Sequence, residues 1–83
     1  MKCVQYTTET KIYVANAQTD SNCNSIIFIN TGQSNVNVDN LTLTPGQQLA
    51  IAGNFNEINV KIYQITFLGT TAPALTVIYK RYI

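Results

Sequence analysis

Residues 26–51 read IIFINTGQSNVNVDNLTLTPGQQLAI, and the fold follows from how this stretch turns. With Asp39-Asn40 as a two-residue loop, Val38 pairs with Leu41, Asn37 with Thr42 and Val36 with Leu43. That register puts four apolar residues on one face and Asn37 and Thr42 on the other, the pattern of a hairpin with one side against a core. Asp and Asn both tolerate positive φ, so a type I′ turn is expected. Thr44-Pro45-Gly46-Gln47 is a sharper corner. Proline presets φ near −65° and glycine accepts the positive φ that a type II turn requires one position later. The chain reverses there, and Leu49 and Ile51 open a new alternating strand. Upstream, Ile26, Ile27, Phe28 and Ile29 are apolar on both parities, as in a strand buried on both faces. Asn30-Thr31-Gly32-Gln33 then supplies the loop back to Val36.

The flanks carry the same alternation. Val4 and Tyr6 alternate with Cys3 and Gln5, so Lys2 to Thr7 is expected as a short strand, followed by a bend at Thr8-Glu9. Lys11 to Ala17 places Ile12 and Val14 on one face, and the two strands together predict an amino-terminal hairpin. Residues 18–24, QTDSNCN, lack a branched aliphatic side chain and read as loop, as does Gly53-Asn54-Phe55-Asn56. Ile58, Val60 and Ile62 share one parity while Ile65 and Phe67 share the other. A switch near Tyr63-Gln64 predicts a β-bulge or a strand that passes between sheets. After the loop Gly69-Thr70-Thr71-Ala72-Pro73, Ala74 to Ile83 is a last strand with Leu75, Val77 and Tyr79 opposite Thr76, Ile78 and Lys80. It is expected at a sheet edge, with Lys80-Arg81 limiting promiscuous pairing. Alternation beats helical spacing in every apolar window. The expectation is a single all-β domain over residues 1–83, a small antiparallel β-sandwich or jelly-roll-like barrel of seven to eight short strands.

A chain of 83 residues buries only about 60 to 65% of its unfolded surface. Small scaffolds add disulfides, a metal or oligomerisation to reach useful stability. With no histidine and only Cys3 and Cys23, one chain cannot assemble a tetrahedral Cys/His zinc site. The first residues contain no apolar run of signal-peptide length, so both thiols read as reduced, a Cys3–Cys23 disulfide being the alternative. Oligomerisation remains as the expected source of stability. Five basic residues against four acidic ones give a net charge of +1, too little to drive binding to nucleic acid or an anionic membrane. No stretch approaches the roughly 20 apolar residues of a membrane helix.

Chemistry is thin as well. Asp20 and Asp39 fall in expected loops, where aspartate ordinarily serves the turn. A cysteine nucleophile wants a histidine or cationic neighbour, and Lys2 points to the opposite face of the strand from Cys3. The glycine-containing loops lack phosphate-loop spacing. No catalytic residue, cofactor site or metal ligand is expected. The five tyrosines raise one alternative, a sugar-stacking platform around Tyr13 and Tyr63 with Asn and Gln nearby. Against it stands the ordinary role of tyrosine as an amphipathic strand residue.

The run Asn30-Thr31-Gly32, Val36-Asn37-Val38-Asp39-Asn40-Leu41-Thr42-Leu43 and Thr44-Pro45-Gly46-Gln47-Gln48-Leu49 resembles small β-sandwich virion proteins of bacteriophages, in which such a hairpin and Pro-Gly corner precede a strand. Those families carry Asn-Gly where this chain has Asp39-Asn40. The resemblance covers a quarter to a third of the chain. It implies a non-enzymatic capsid decoration, cementing or head-auxiliary subunit that acts as a symmetric homo-oligomer, touches other virion proteins and resides in the virion after assembly in the host bacterial cytoplasm. On that reading the expected contact residues are Tyr79, Arg81, Tyr82 and Ile83 at the carboxy terminus, with Val4 and Tyr6 at the amino terminus. A small carbohydrate-binding or adhesion module is the alternative.

Overall fold

The computed structural model describes residues 5–53 and 57–82. Its strands are β1 Tyr6–Tyr13, β2 Ala17–Asp20, β3 Ser25–Asn30, β4 Val36–Val38, β5 Leu41–Leu43, β6 Gln48–Ile51, β7 Ile62–Phe67 and β8 Leu75–Tyr82. They form two four-stranded antiparallel sheets, β1-β8-β3-β6 and β2-β7-β4-β5. β1 pairs with β8, β2 with β7, β3 with β6 and β4 with β5, so the chain doubles back on itself about the β4–β5 turn. The doubled chain then rolls up, and β3–β8 and β4–β7 pairs seal each sheet. Every connection except β4–β5 passes from one sheet to the other. This is a jelly roll, the form of small antiparallel sandwich expected from the strand spacing.

The hairpin at the centre of the roll has the register read from the sequence, Val36↔Leu43, Asn37↔Thr42 and Val38↔Leu41. Val36, Val38 and Leu43 are buried, whereas Leu41 lies on the free edge of its sheet and stays 47% exposed. On the outer face the Thr42 hydroxyl donates to Asn37 Oδ1 at 2.6 Å. Positive φ falls on Asp39 alone, at 55°, so the turn is not type I′, which needs it at both central residues. The strain is offset by ties to β7: Asp39 N–H donates to the Gln64 carbonyl at 2.8 Å, and Gln64 N–H to Asp39 Oδ1 at 3.0 Å. The Pro-Gly corner has the expected type II form, with Gly46 at φ 87° and the Gln47 N–H on the Thr44 carbonyl at 2.9 Å.

The core lies between the sheets. Ile26, Phe28, Leu75, Val77 and Tyr79 come from one, Val36, Val38, Leu43, Tyr63 and Ile65 from the other. Phe28 and Tyr63 meet edge to face across the gap, with centroids 5.1 Å apart, a geometry that adds about 0.5–1.5 kcal/mol beyond area burial. The Tyr79 phenol reaches from β8 to hydrogen-bond the Thr19 hydroxyl on β2. Asn30 closes one end: its buried amide donates to the Ser34 and Leu43 carbonyls at 2.8 and 2.9 Å and accepts from Gly32 N–H at 3.1 Å. Gly32 itself admits no side chain, because a Cβ there would stand 2.4 Å from the Ala72 carbonyl oxygen.

Four expectations are corrected. There is no amino-terminal hairpin: β1 runs unbroken through Thr8-Glu9, pairs with β8, and the chain then crosses to the second sheet as β2. Residues 18–20, read as loop, belong to β2, where Thr19 alone of the three faces the core and no branched aliphatic is needed. β7 carries no bulge at Tyr63-Gln64; Tyr63, Ile65 and Phe67 face the core, while Ile58, Val60 and Ile62 point to solvent and Val60 is 78% exposed. β8 is not an edge but lies between β1 and β3. The predicted break at residues 54–56 and the start of the predicted first strand lie outside the described residues.

Candidate functional site

The strongest unexplained surface is the outer face of the β1-β8-β3-β6 sheet. Registers place Thr10, Ile78, Ile27 and Ala50 in one cross-strand row, and Ile12, Thr76, Ile29 and Gln48 in the next. Ile27, Ile29 and Ile78 are half-buried, and Ile12 is 66% exposed. This corrects the reading of residues 26–29 as buried on both faces: Ile26 and Phe28 enter the core, while Ile27 and Ile29 remain on an uncovered surface. Four isoleucines on adjoining strands make an apolar patch of the kind that marks interaction sites.

At one end of this face stand Tyr6 and Tyr82, paired in register with ring centroids 6.2 Å apart. Lys80 Nζ sits 4.3 Å from the Tyr6 centroid and 5.0 Å from that of Tyr82. The structure therefore brings together two of the predicted contact residues and adds Lys80. Arg81 points to the other side, donating from Nη1 to Glu9 Oε1 and from Nε to the Asn22 carbonyl, each at 2.9 Å. Tyr79 is corrected as a contact: its side chain is 1% exposed and belongs to the core. Burial pushes its phenol well above the ordinary tyrosine range, with Tyr13 and Glu9 adding to the shift. Val4 and Ile83 lie outside the described residues.

The tyrosines read as a sugar platform are not one. Tyr63 is 4% exposed and packs on Phe28, and Tyr13 is half-buried against the core. A surface groove of about 520 Å³ does exist, lined by Asp20, Asn22, Val60, Lys61 and Ile62. Its cation is engaged, since Lys61 Nζ lies 2.7 Å from Asp39 Oδ2. Among the described residues no group of three or more His, Cys, Asp or Glu is placed to hold a metal. Cys23 is fully buried, and loss of solvent raises its thiol pKa, making it a poor nucleophile.

Ile12, Ile27, Ile29 and Ile78 were not among the expected contacts. The sequence signal for Ile27 and Ile29 was the run of apolar residues on both parities at 26–29, which a single jelly roll covers on one side only; Ile12 and Ile78 join them through the strand register. Compared with known protein families, curated proteins and solved structures, the chain matches none.

Proposed function

We propose that the protein is a non-enzymatic structural subunit that assembles with copies of itself through the outer face of the β1-β8-β3-β6 sheet. One observation carries this reading: β3 has the composition of a strand covered on both sides, and the single chain covers one. The small size of the domain supports it, because association adds apolar burial to a core of limited size. The setting we propose is a phage virion, as a decoration, cementing or head-auxiliary subunit in contact with other capsid proteins. The hairpin and Pro-Gly corner support that setting. The fold by itself does not choose, since jelly rolls serve capsid and lectin domains alike.

Light scattering on the purified protein over a hundredfold dilution tests the assembly. A discrete oligomer is expected at the upper concentrations, and a monomer throughout contradicts it. The virion setting is tested by mass spectrometry of particles purified from the phage that encodes the chain. A fixed, high stoichiometry is expected there, and absence from the particles contradicts it.

A further inference from the structure

Four strands end the two sheets, and three of them are short: β2 and β6 have four residues each and β5 has three. Short edges resist pairing with other chains. The fourth, β1, runs eight residues, all but the last exposed, and among the described residues pairs on one side only, with β8. It reads Tyr6-Thr7-Thr8-Glu9-Thr10-Lys11-Ile12-Tyr13, with one carboxylate and one ammonium placed symmetrically about Thr10.

We infer that β1 pairs antiparallel with β1 of a second copy about a two-fold axis through Thr10, joining two four-stranded sheets into one of eight strands. This rests on the self-assembly reading above and adds to its face contact an edge contact of defined register. In that register residue i faces residue 20 − i, so Glu9 lies opposite Lys11 of the second copy and Lys11 opposite its Glu9. Thr8 and Ile12 oppose each other on the other face, and Tyr13 meets Thr7. Directly opposed unlike charges favour a cross-strand pair, and like charges oppose it. A two-fold interface repeats each contact, so both ion pairs form together. A shift of two residues in the register breaks both of them. The same charges oppose pairing with unrelated strands, which gives the long edge specificity.

Both groups are within reach of that use. Glu9 holds Arg81 through Oε1 on the exposed rim, and Lys11 Nζ stands 5.4 Å from the Tyr79 ring centroid. Thr7, Glu9 and Lys11 have core-side parity, yet all three are exposed, because the opposite sheet does not extend over β1. The joined sheet also aligns the outer faces of the two copies, so Ile12 of each extends the apolar patch of the other.

Charge reversal with mixing tests the register. In a K11E homodimer two carboxylates face each other at both positions, and in an E9K homodimer two ammonium groups do. Each variant alone is therefore expected to dimerise about tenfold more weakly than the native chain, the sum over two exposed pairs. Mixing the two restores an ammonium opposite a carboxylate at both positions, and a heterodimer of native affinity is expected by light scattering or native mass spectrometry. Circular dichroism of each variant reports its fold, and recovery on mixing cannot come from refolding of either chain. Native affinity in both single variants, or a mixture no tighter than its components, overturns the β1 pairing. If the native chain still oligomerises in that case, self-assembly stands and uses another surface. A native chain that stays monomeric overturns both.

Discussion

The two sheets share one core and differ on their outer faces. Outside β2-β7-β4-β5 stand Gln18, Gln64, Thr66, Asn37 and Thr42, with Asp20 and Ile62 at one end, the polar surface of a sheet that faces water. Outside β1-β8-β3-β6 stand Ile12, Ile27, Ile29 and Ile78 among threonines. Both sheets send apolar side chains into the shared core, and the difference lies outside it. A sheet that faces water on its outer side alternates, and isoleucine on that side is what the proposed assembly uses.

The largest test attacks the half of the comparison that says both sheets build one core. Phe28→Ala and Tyr63→Ala remove partners of one edge-to-face pair from opposite sheets and are each expected to cost about 3–5 kcal/mol in urea unfolding. A cost confined to one sheet would break that sharing. Next is the residue that holds the sheets together at one end. Asn30→Ala takes the amide donor from the Ser34 and Leu43 carbonyls, while the Gly32 N–H keeps the Ala74 carbonyl, and is expected to cost about 2–4 kcal/mol. At Gly46, which has open space but positive φ, Gly46→Ala is expected to cost only about 1–2 kcal/mol, with the oligomer mass unchanged.

The smallest effect belongs to the polar sheet alone. The Gln64 N–H, then Lys61, hold the Asp39 carboxyl below its ordinary value of 3.8. A depressed carboxyl stabilises the fold fully above its unfolded pKa and loses that contribution as pH falls through its lower folded value. Urea midpoints from pH 5 down to pH 2 are therefore expected to fall less steeply in Asp39→Asn than in the native chain. Identical slopes would detach this residue from the acid response of the second sheet.

Much of the central stretch was legible because its information is local. The β4–β5 register follows from alternation around two residues, and the Pro-Gly corner from the φ that each residue imposes. The edge strands were not, because exposure relaxes the apolar pattern: β1 carries Thr8-Glu9, which reads as a bend, and residues 18–20 of β2 need only Thr19 inward. Strand order was illegible for a different reason. β8 enters between β1 and β3 through pairings between residues far apart in sequence, from Asn30↔Leu75 to Tyr6↔Tyr82, and no single alternating segment encodes which neighbour it takes. Of the expected contact residues, Tyr6 and Tyr82 stand together on the outer face, whereas Tyr79 was read on the same face as Leu75 and Val77 yet assigned to a contact, and that face is the core, where its phenol reaches Thr19. Ile27 and Ile29 were visible as excess hydrophobicity, though their use depends on which face the roll leaves uncovered.

The most direct measurement compares one lysine on each outer face. Ile27→Lys and Gln64→Lys add the same charge at exposed or half-exposed strand positions, and light scattering at matched concentration reads their masses. We predict that Ile27→Lys, folded by circular dichroism, loses the face contact and falls to a mass no larger than that of the β1-paired dimer, while Gln64→Lys keeps the native oligomer. Equal masses for the two folded variants would contradict the assignment of the β1-β8-β3-β6 face to assembly.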